Sequence, residues 1–185
     1  RRALPGRQMM RGYEILWRLA RPLLPLVLAR RARSGKEDVG RIAERFGRYD
    51  HCTDLPDDPL WIHAVSVGET VAGIALAEAI RKTGETAPIL MTTNTVTAAA
   101  RVAALPASLG VTHLYQPLDH PDMVAAFLHR IRPRIGLFLE SDFWPTLITA
   151  TAASGVPMAF VSAQLSDRAA ARWKKSGAKA KAVFG

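Results

Sequence analysis

At 185 residues, 49% of them apolar, the chain can bury one substantial core but is too short for two full lobes, so one domain is expected. The formal charge of +9 is confined to one region: ten basic residues stand against Glu14 alone in residues 1–36, and the remainder carries 15 of each sign. That split excludes a basic globular body and predicts a cationic leader on a neutral domain.

The leader interleaves Arg18 and Arg21 with Ile15, Leu16, Trp17, Leu19, Leu23, Leu24, Leu26, Val27 and Leu28. A spanning helix needs roughly 20 mostly apolar residues, and here the arginines interrupt while Pro22 and Pro25 add kinks. A broken amphipathic helix in the headgroup layer, drawn to anionic lipid on the cytoplasmic leaflet, is the expectation. The alternative is a helix packed on its own domain. Sparse aromatics and the lack of a recognition motif argue against nucleic acid as a partner. The broken apolar run, with no small-residue cleavage site, argues against a secretory signal. Residues 1–55 are taken as leader and approach segment, and the Pro56–Pro59 stretch with its aspartates marks the start of the domain at 56–185.

Beyond that boundary, apolar runs predict strands over Leu60–Ser66, Pro88–Thr93, Thr112–Gln116, Arg134–Glu140 and Pro157–Ser162. Apolar-periodic helices are predicted near Thr70–Lys82, Val96–Ala104, Pro121–Ile131 and Trp144–Ala153, and a last one over Asp167–Lys181. Regular alternation of strand and helix implies an α/β fold, a Rossmann-like parallel sheet with right-handed crossovers and helices on both faces.

In such sheets ligands gather beyond the carboxyl ends of the strands. Two carboxylate-bearing turns fall there: Ser66-Val67-Gly68-Glu69 after the first strand, and Glu140-Ser141-Asp142-Phe143-Trp144-Pro145 after the fourth. Ser66 and Glu69 also have the spacing of a capping box, which would occupy both side chains with backbone amides. Thr92, Thr93 and Asn94 end the second strand and offer hydroxyls and amides to a phosphate, or an ordinary helix cap. Asp119, after the third strand, suits a sugar hydroxyl or, more simply, the N-cap of the helix near Pro121. His63, inside an apolar strand, reads as a hydrogen-bonded core residue that supports the site from behind. Cys52 is single, and the histidines show no ligand spacing, so no metal is expected. Neither a Gly-x-Gly-x-x-Gly nor a P-loop motif occurs, and no cofactor is implied.

Trp61-Ile62-His63-Ala64-Val65-Ser66-Val67-Gly68-Glu69, Glu140-x-Asp142-x-Trp144-Pro145 and Ala163-Gln164-Leu165-Ser166, preceded by Arg41-Ile42-Ala43-Glu44-Arg45-Phe46-Gly47, together resemble the amino-terminal half of the 3-deoxy-D-manno-octulosonic acid (Kdo) transferases of lipid A assembly. The resemblance implies the first lobe of a two-lobed glycosyltransferase-B arrangement, with a lipid A precursor (lipid IVA) as acceptor. CMP-Kdo, the donor, would be held by a second lobe that lies outside this sequence. It casts Glu69 as general base, and Glu140 as stabiliser of the transition state or positioner of the acceptor. Ser66, Gly68, Thr92, Thr93, Asn94 and Asp119 become acceptor-binding candidates. Transfer would invert the anomeric centre without a metal, and the piece alone is expected to be inactive. Asp142, Ser162 and Gln164 depart from the family's usual Glu, Asn and Arg, which leaves those contributions without a bearer. A catalytically silent membrane-binding α/β module and a glycosyltransferase of another family are the rival expectations.

Overall fold

The computed structural model describes residues 5–139 and 144–161, with side chains from residue 12 onward. Glu140, Asp142, Ser162, Gln164 and the helix expected over 167–181 lie outside the described residues.

The leader forms helix α1 (Pro5–Ala20), a 3₁₀ turn over Arg21–Leu23 and helix α2 (Leu24–Arg33). Pro22 and Pro25 each fall in the first turn of a new segment, where a missing amide costs least, so the prolines set the break the sequence predicts. Leu24 and Leu28 turn inward, whereas Ile15, Leu16, Leu19, Leu23, Leu26 and Val27 are all more than half exposed. The leader therefore packs on its own domain through Leu24 and Leu28 and leaves these six apolar side chains exposed. A short helix α3 (Ile42–Arg45) follows.

Five strands, β1 (Leu60–His63), β2 (Ile89–Thr93), β3 (Val111–Tyr115), β4 (Ile135–Phe138) and β5 (Met158–Phe160), pair in parallel in the order β3-β2-β1-β4-β5. Between them run α4 (Val67–Lys82), α5 (Val96–Ala103), α6 (Pro121–Ile131) and α7 (Pro145–Ala153). The first strand ends earlier than its apolar run suggests, because the Ser66 hydroxyl captures the Glu69 amide and turns the backbone into α4.

Alternation along the strands divides the core. Trp61, Leu90, Leu114 and Phe138 face Val124, Phe127 and Ile131 of α6 and Leu147 and Ile148 of α7. Ile62, Ile89 and Met91 face the opposite way, with Ala77 of α4 and Val102 of α5. Gly73 lets α4 lie close to the sheet: a Cβ there would stand 3.1–3.3 Å from Leu139, Ile62 and Met91 side-chain atoms. With β2 and β3 on one side of β1 and β4 and β5 on the other, strand order reverses at β1. The crevice outside the carboxyl ends of β1 and β4 is the switch point at which doubly wound sheets hold ligands.

Two polar groups, Thr92 and His63, sit inside the first core layer. Thr92 is fully buried, and its hydroxyl oxygen accepts the Trp61 indole N–H at 2.8 Å and lies 2.7 Å from His63 Nδ1. Thr92→Val, close in shape, strips these groups of that oxygen at a cost of about 1–3 kcal/mol; thermal unfolding should show Tm lower by several degrees with the secondary structure kept.

Candidate active site

The β1–α4 turn builds its carboxylate position from local rules. Ser66 takes the extended N-cap conformation and its hydroxyl accepts the Glu69 amide at 3.2 Å. Glu69 Oε2 in return accepts the amides of Val65 at 2.8 Å and Ser66 at 3.0 Å. The capping box is thus real, and it occupies one carboxylate oxygen while Oε1 accepts nothing from the described residues. The side chain is half-buried, beside the crevice between β1 and β4. Gly68, in the first turn of α4, is exposed, and a Cβ added to it would meet only Ser66 Oγ, at 4.0 Å. The Val67 and Gly68 amides find no acceptor among the described residues and point out of the helix start, where they favour an oxyanion or hydroxyl oxygen.

The second strand's polar end serves the interior. Thr93 is fully buried, and its hydroxyl lies 2.9 Å from Nε2 of His113. Arg41 Nη1 approaches His113 Nδ1 at 2.9 Å, and since a guanidinium only donates, Nδ1 accepts and Nε2–H donates to Thr93. Burial and the Arg41 charge hold this imidazole down at about 3, so it stays neutral. The cap of α5 is Thr95, whose hydroxyl accepts the Ala98 amide. Asn94 is half-buried and its side-chain oxygen accepts from Arg45.

Arg45 was not foreseen as a site residue, although it stands in the segment that carries the family resemblance. Its buried guanidinium donates to the Gln116 carbonyl at 2.5 Å and to Asn94, and lies 3.4 Å from Glu37. Neighbouring Glu44 accepts the Tyr115 amide at 2.7 Å and two hydrogen bonds from Arg41. Together they clamp the approach segment over the carboxyl ends of β2 and β3. Glu44, His51 and Cys52 form the one group of possible metal ligands among the described residues, their ligand atoms within 4.8 Å of one another. Arg41, paired with Glu44 at 2.5 Å, already supplies the positive charge there.

Asp119 departs from its expected role. The N-cap of α6 is His120, whose Nδ1 accepts the Asp122 amide. Asp119 instead caps α7 from a distant loop, accepting the Thr146 and Leu147 amides at 3.1 and 2.8 Å, and it also accepts the Tyr13 hydroxyl of α1 at 2.8 Å. A fully buried carboxylate with three donors is committed to structure, which argues against direct contact with a sugar hydroxyl.

A parallel sheet whose strand order reverses beside a carboxylate-bearing helix start defines a Rossmann-like ligand-binding lobe. The family model described as 3-deoxy-D-manno-octulosonic-acid transferase (kdotransferase) matches residues 40–185, and the chain belongs to that family. A 3-deoxy-D-manno-octulosonic acid transferase of Bordetella pertussis is 41% identical over 166 residues, 85% of this chain and 38% of its own length. A probable mitochondrial 3-deoxy-D-manno-octulosonic acid transferase of Arabidopsis thaliana is 34% identical over 82% of this chain and 34% of its own length. One from Haemophilus influenzae is 34% identical over 73% of the chain, 31% of its own length. The chain thus spans between a third and two-fifths of the first two curated relatives, and slightly less of the third.

Burial lifts the Asp119 carboxyl from its ordinary 3.8 to about 6, against the pull of its donors. The folded state then binds the proton more tightly than the unfolded chain, so the stability this group contributes is complete below its unfolded pKa and is lost as pH rises through about 6. The loss is on the order of 3 kcal/mol. Asp119→Asn does not ionise and escapes it, so the destabilisation caused by the substitution should be smaller at pH 8 than at pH 5 when both proteins are unfolded thermally.

Proposed function

We propose that the chain is the acceptor-binding lobe of a transferase that moves Kdo from CMP-Kdo to a lipid A precursor, lipid IVA, in lipopolysaccharide assembly at the cytoplasmic face of the inner membrane. The observation that carries this reading is the placement of Glu69. Its carboxylate is fixed through Oε2 by two amides at the end of β1, the strand where the sheet order reverses, and Oε1 accepts no hydrogen bond from the described residues.

In this reading Oε1 takes the proton of an acceptor hydroxyl as that oxygen attacks the anomeric carbon of Kdo. The bond to the CMP phosphate breaks, and CMP leaves with the electron pair. Attack on the face opposite the leaving group inverts the centre through an oxocarbenium-like transition state. A general base in hydrogen-bond reach contributes about 10²–10⁴-fold, and no metal is needed to activate the hydroxyl. The Val67 and Gly68 amides, with the Ser66 turn, would hold the acceptor oxygen in place. Thr92 and Thr93 support the edge from inside, and Asn94 sits in the Arg45 network. Glu140, which follows β4 in sequence, is assigned to the developing positive charge.

Membrane association is supported by the leader. Ile15, Leu16, Leu19, Leu23, Leu26 and Val27 are exposed, and Arg18, Arg21, Arg30 and Arg31 stand among and after them in sequence. Among the described residues no helix is long and apolar enough to cross a membrane, and exposed apolar side chains mixed with arginines suit a helix lying in the headgroup layer. These side chains reach the surface while Tyr13, Leu24 and Leu28 hold the leader to the lobe.

The capping box also favours a second reading, in which Glu69 is only a cap and the lobe is silent. Glu69→Gln in the full-length protein separates the two, because Gln keeps the cap but cannot take the proton. Transfer should fall by about 10²–10⁴-fold with Tm nearly unchanged, and wild-type transfer would establish the silent module. Gly68→Ala meets open space and should leave stability intact while lowering transfer to the lipid acceptor, read as a raised acceptor KM. A Leu19→Glu, Leu23→Glu double substitution should weaken sedimentation with phosphatidylglycerol vesicles at least ten-fold, since each buried leucine contributes roughly 1.5–3 kcal/mol.

A further inference from the structure

We propose that Asp119 is a positioning residue for the transfer reaction, a clamp that makes the start of α7 depend on the seating of the leader helix α1. The inference rests on the acceptor-lobe reading above and adds to it a physical link between the membrane-facing leader and the crevice.

Helix α7 cannot hold its own start. Trp144 at its N-cap supplies no side-chain cap, and Pro145 has no amide to offer. The next two amides, Thr146 and Leu147, both donate to Asp119, and only at Ile148 does the helix's own ladder begin, with its amide on the Trp144 carbonyl at 3.0 Å. One carboxylate therefore satisfies the free donors of that end. The same carboxylate receives the Tyr13 hydroxyl, 106 positions away in sequence. Tyr13 is steadied by an edge-to-face contact with Trp17, ring centroids 6.3 Å apart. An exposed ion pair between Arg21 and Asp122 at 2.9 Å lies along the same contact of leader and lobe; as an exposed pair it guides the docking more than it holds it.

The clamp's location gives it a role in the reaction. α7 begins on the β4 side of the crevice that Glu69 borders from the β1 side. In sequence its start follows directly on the acidic stretch after β4. Asp119 itself is sealed from the crevice and touches no reacting atom, so it acts through the backbone it holds. Without the Tyr13 hydroxyl the buried anion keeps two donors in place of three, and its hold on Thr146 and Leu147 becomes the sole use of a poorly solvated charge. The helix start then shifts or frays, and the geometry across the crevice goes with it.

The experiment is Tyr13→Phe in the full-length enzyme, a change that keeps the ring and its edge-to-face packing on Trp17. With detergent-dispersed lipid acceptor, kcat should fall on the order of ten-fold, the scale expected of a small misplacement across a reacting pair. The KM for CMP-Kdo and binding to phosphatidylglycerol vesicles should stay at wild-type values, and the Thr146 and Leu147 amides should exchange hydrogen faster. Adding Asp119→Asn to Tyr13→Phe should cost less than the product of the separate effects, because both act on one linkage. Wild-type kcat with unaltered amide exchange in Tyr13→Phe, or multiplicative effects in the double variant, would overturn the clamp. Glu69→Gln run alongside tells the two failures apart. If it loses transfer while Tyr13→Phe does not, the clamp alone is wrong; if it retains transfer, the acceptor-lobe reading is wrong and the positioning role falls with it.

Discussion

Four helices start at one edge of the sheet, and each brings amides that its own turns cannot satisfy. The lobe meets this demand with side chains at every start: Ser66 and Glu69 for α4, Thr95 for α5, His120 for α6 and Asp119 for α7. Because that edge is also where a doubly wound sheet presents its ligand crevice, capping and chemistry compete for the same groups. Glu69 commits one oxygen to the backbone and leaves the other without a donor among the described residues. Asp119 gives everything to structure, and its high pKa is the cost of holding a charge among dry neighbours.

The distinction between those two carboxylates separates what the amino-acid order can disclose from what it cannot. The strands and the four crossover helices followed from apolar runs and periodicity, with ends displaced by one to three residues, at Ser66 because a cap intervened. The capping box was readable because its partners lie three residues apart. Asp119 was misassigned to the helix beside it, since its true partners are 27, 28 and 106 positions away and leave no local trace. Thr92 and Thr93 end a strand buried on both faces, so hydroxyls facing the interior had the same sequence appearance as hydroxyls facing a ligand.

The segment Arg41–Gly47 shows another side of this. It carries family resemblance, yet its side chains work on the backbone: Glu44 on the Tyr115 amide, Arg45 on the Gln116 carbonyl. Both are nearly fully buried, and a buried charge left without its partner costs several kcal/mol. Such a network specifies how the approach segment lies over β3 more than it adds to stability. The family's motifs thus mark two different things in this lobe: a turn that faces a crevice, and a clamp that gives that crevice its rim. The leader is pinned to the α6 and α7 side of the same edge, through Tyr13 on Asp119 and Arg21 on Asp122.

The central claim is that Glu69 Oε1 faces the acceptor. A crystal structure of the full-length protein with a lipid A precursor analogue bound tests it most directly. The account predicts a sugar hydroxyl about 2.6–3.2 Å from Oε1, with the Val65 and Ser66 amides still on Oε2. An acceptor lodged elsewhere, with both carboxylate oxygens held by protein alone, would contradict it.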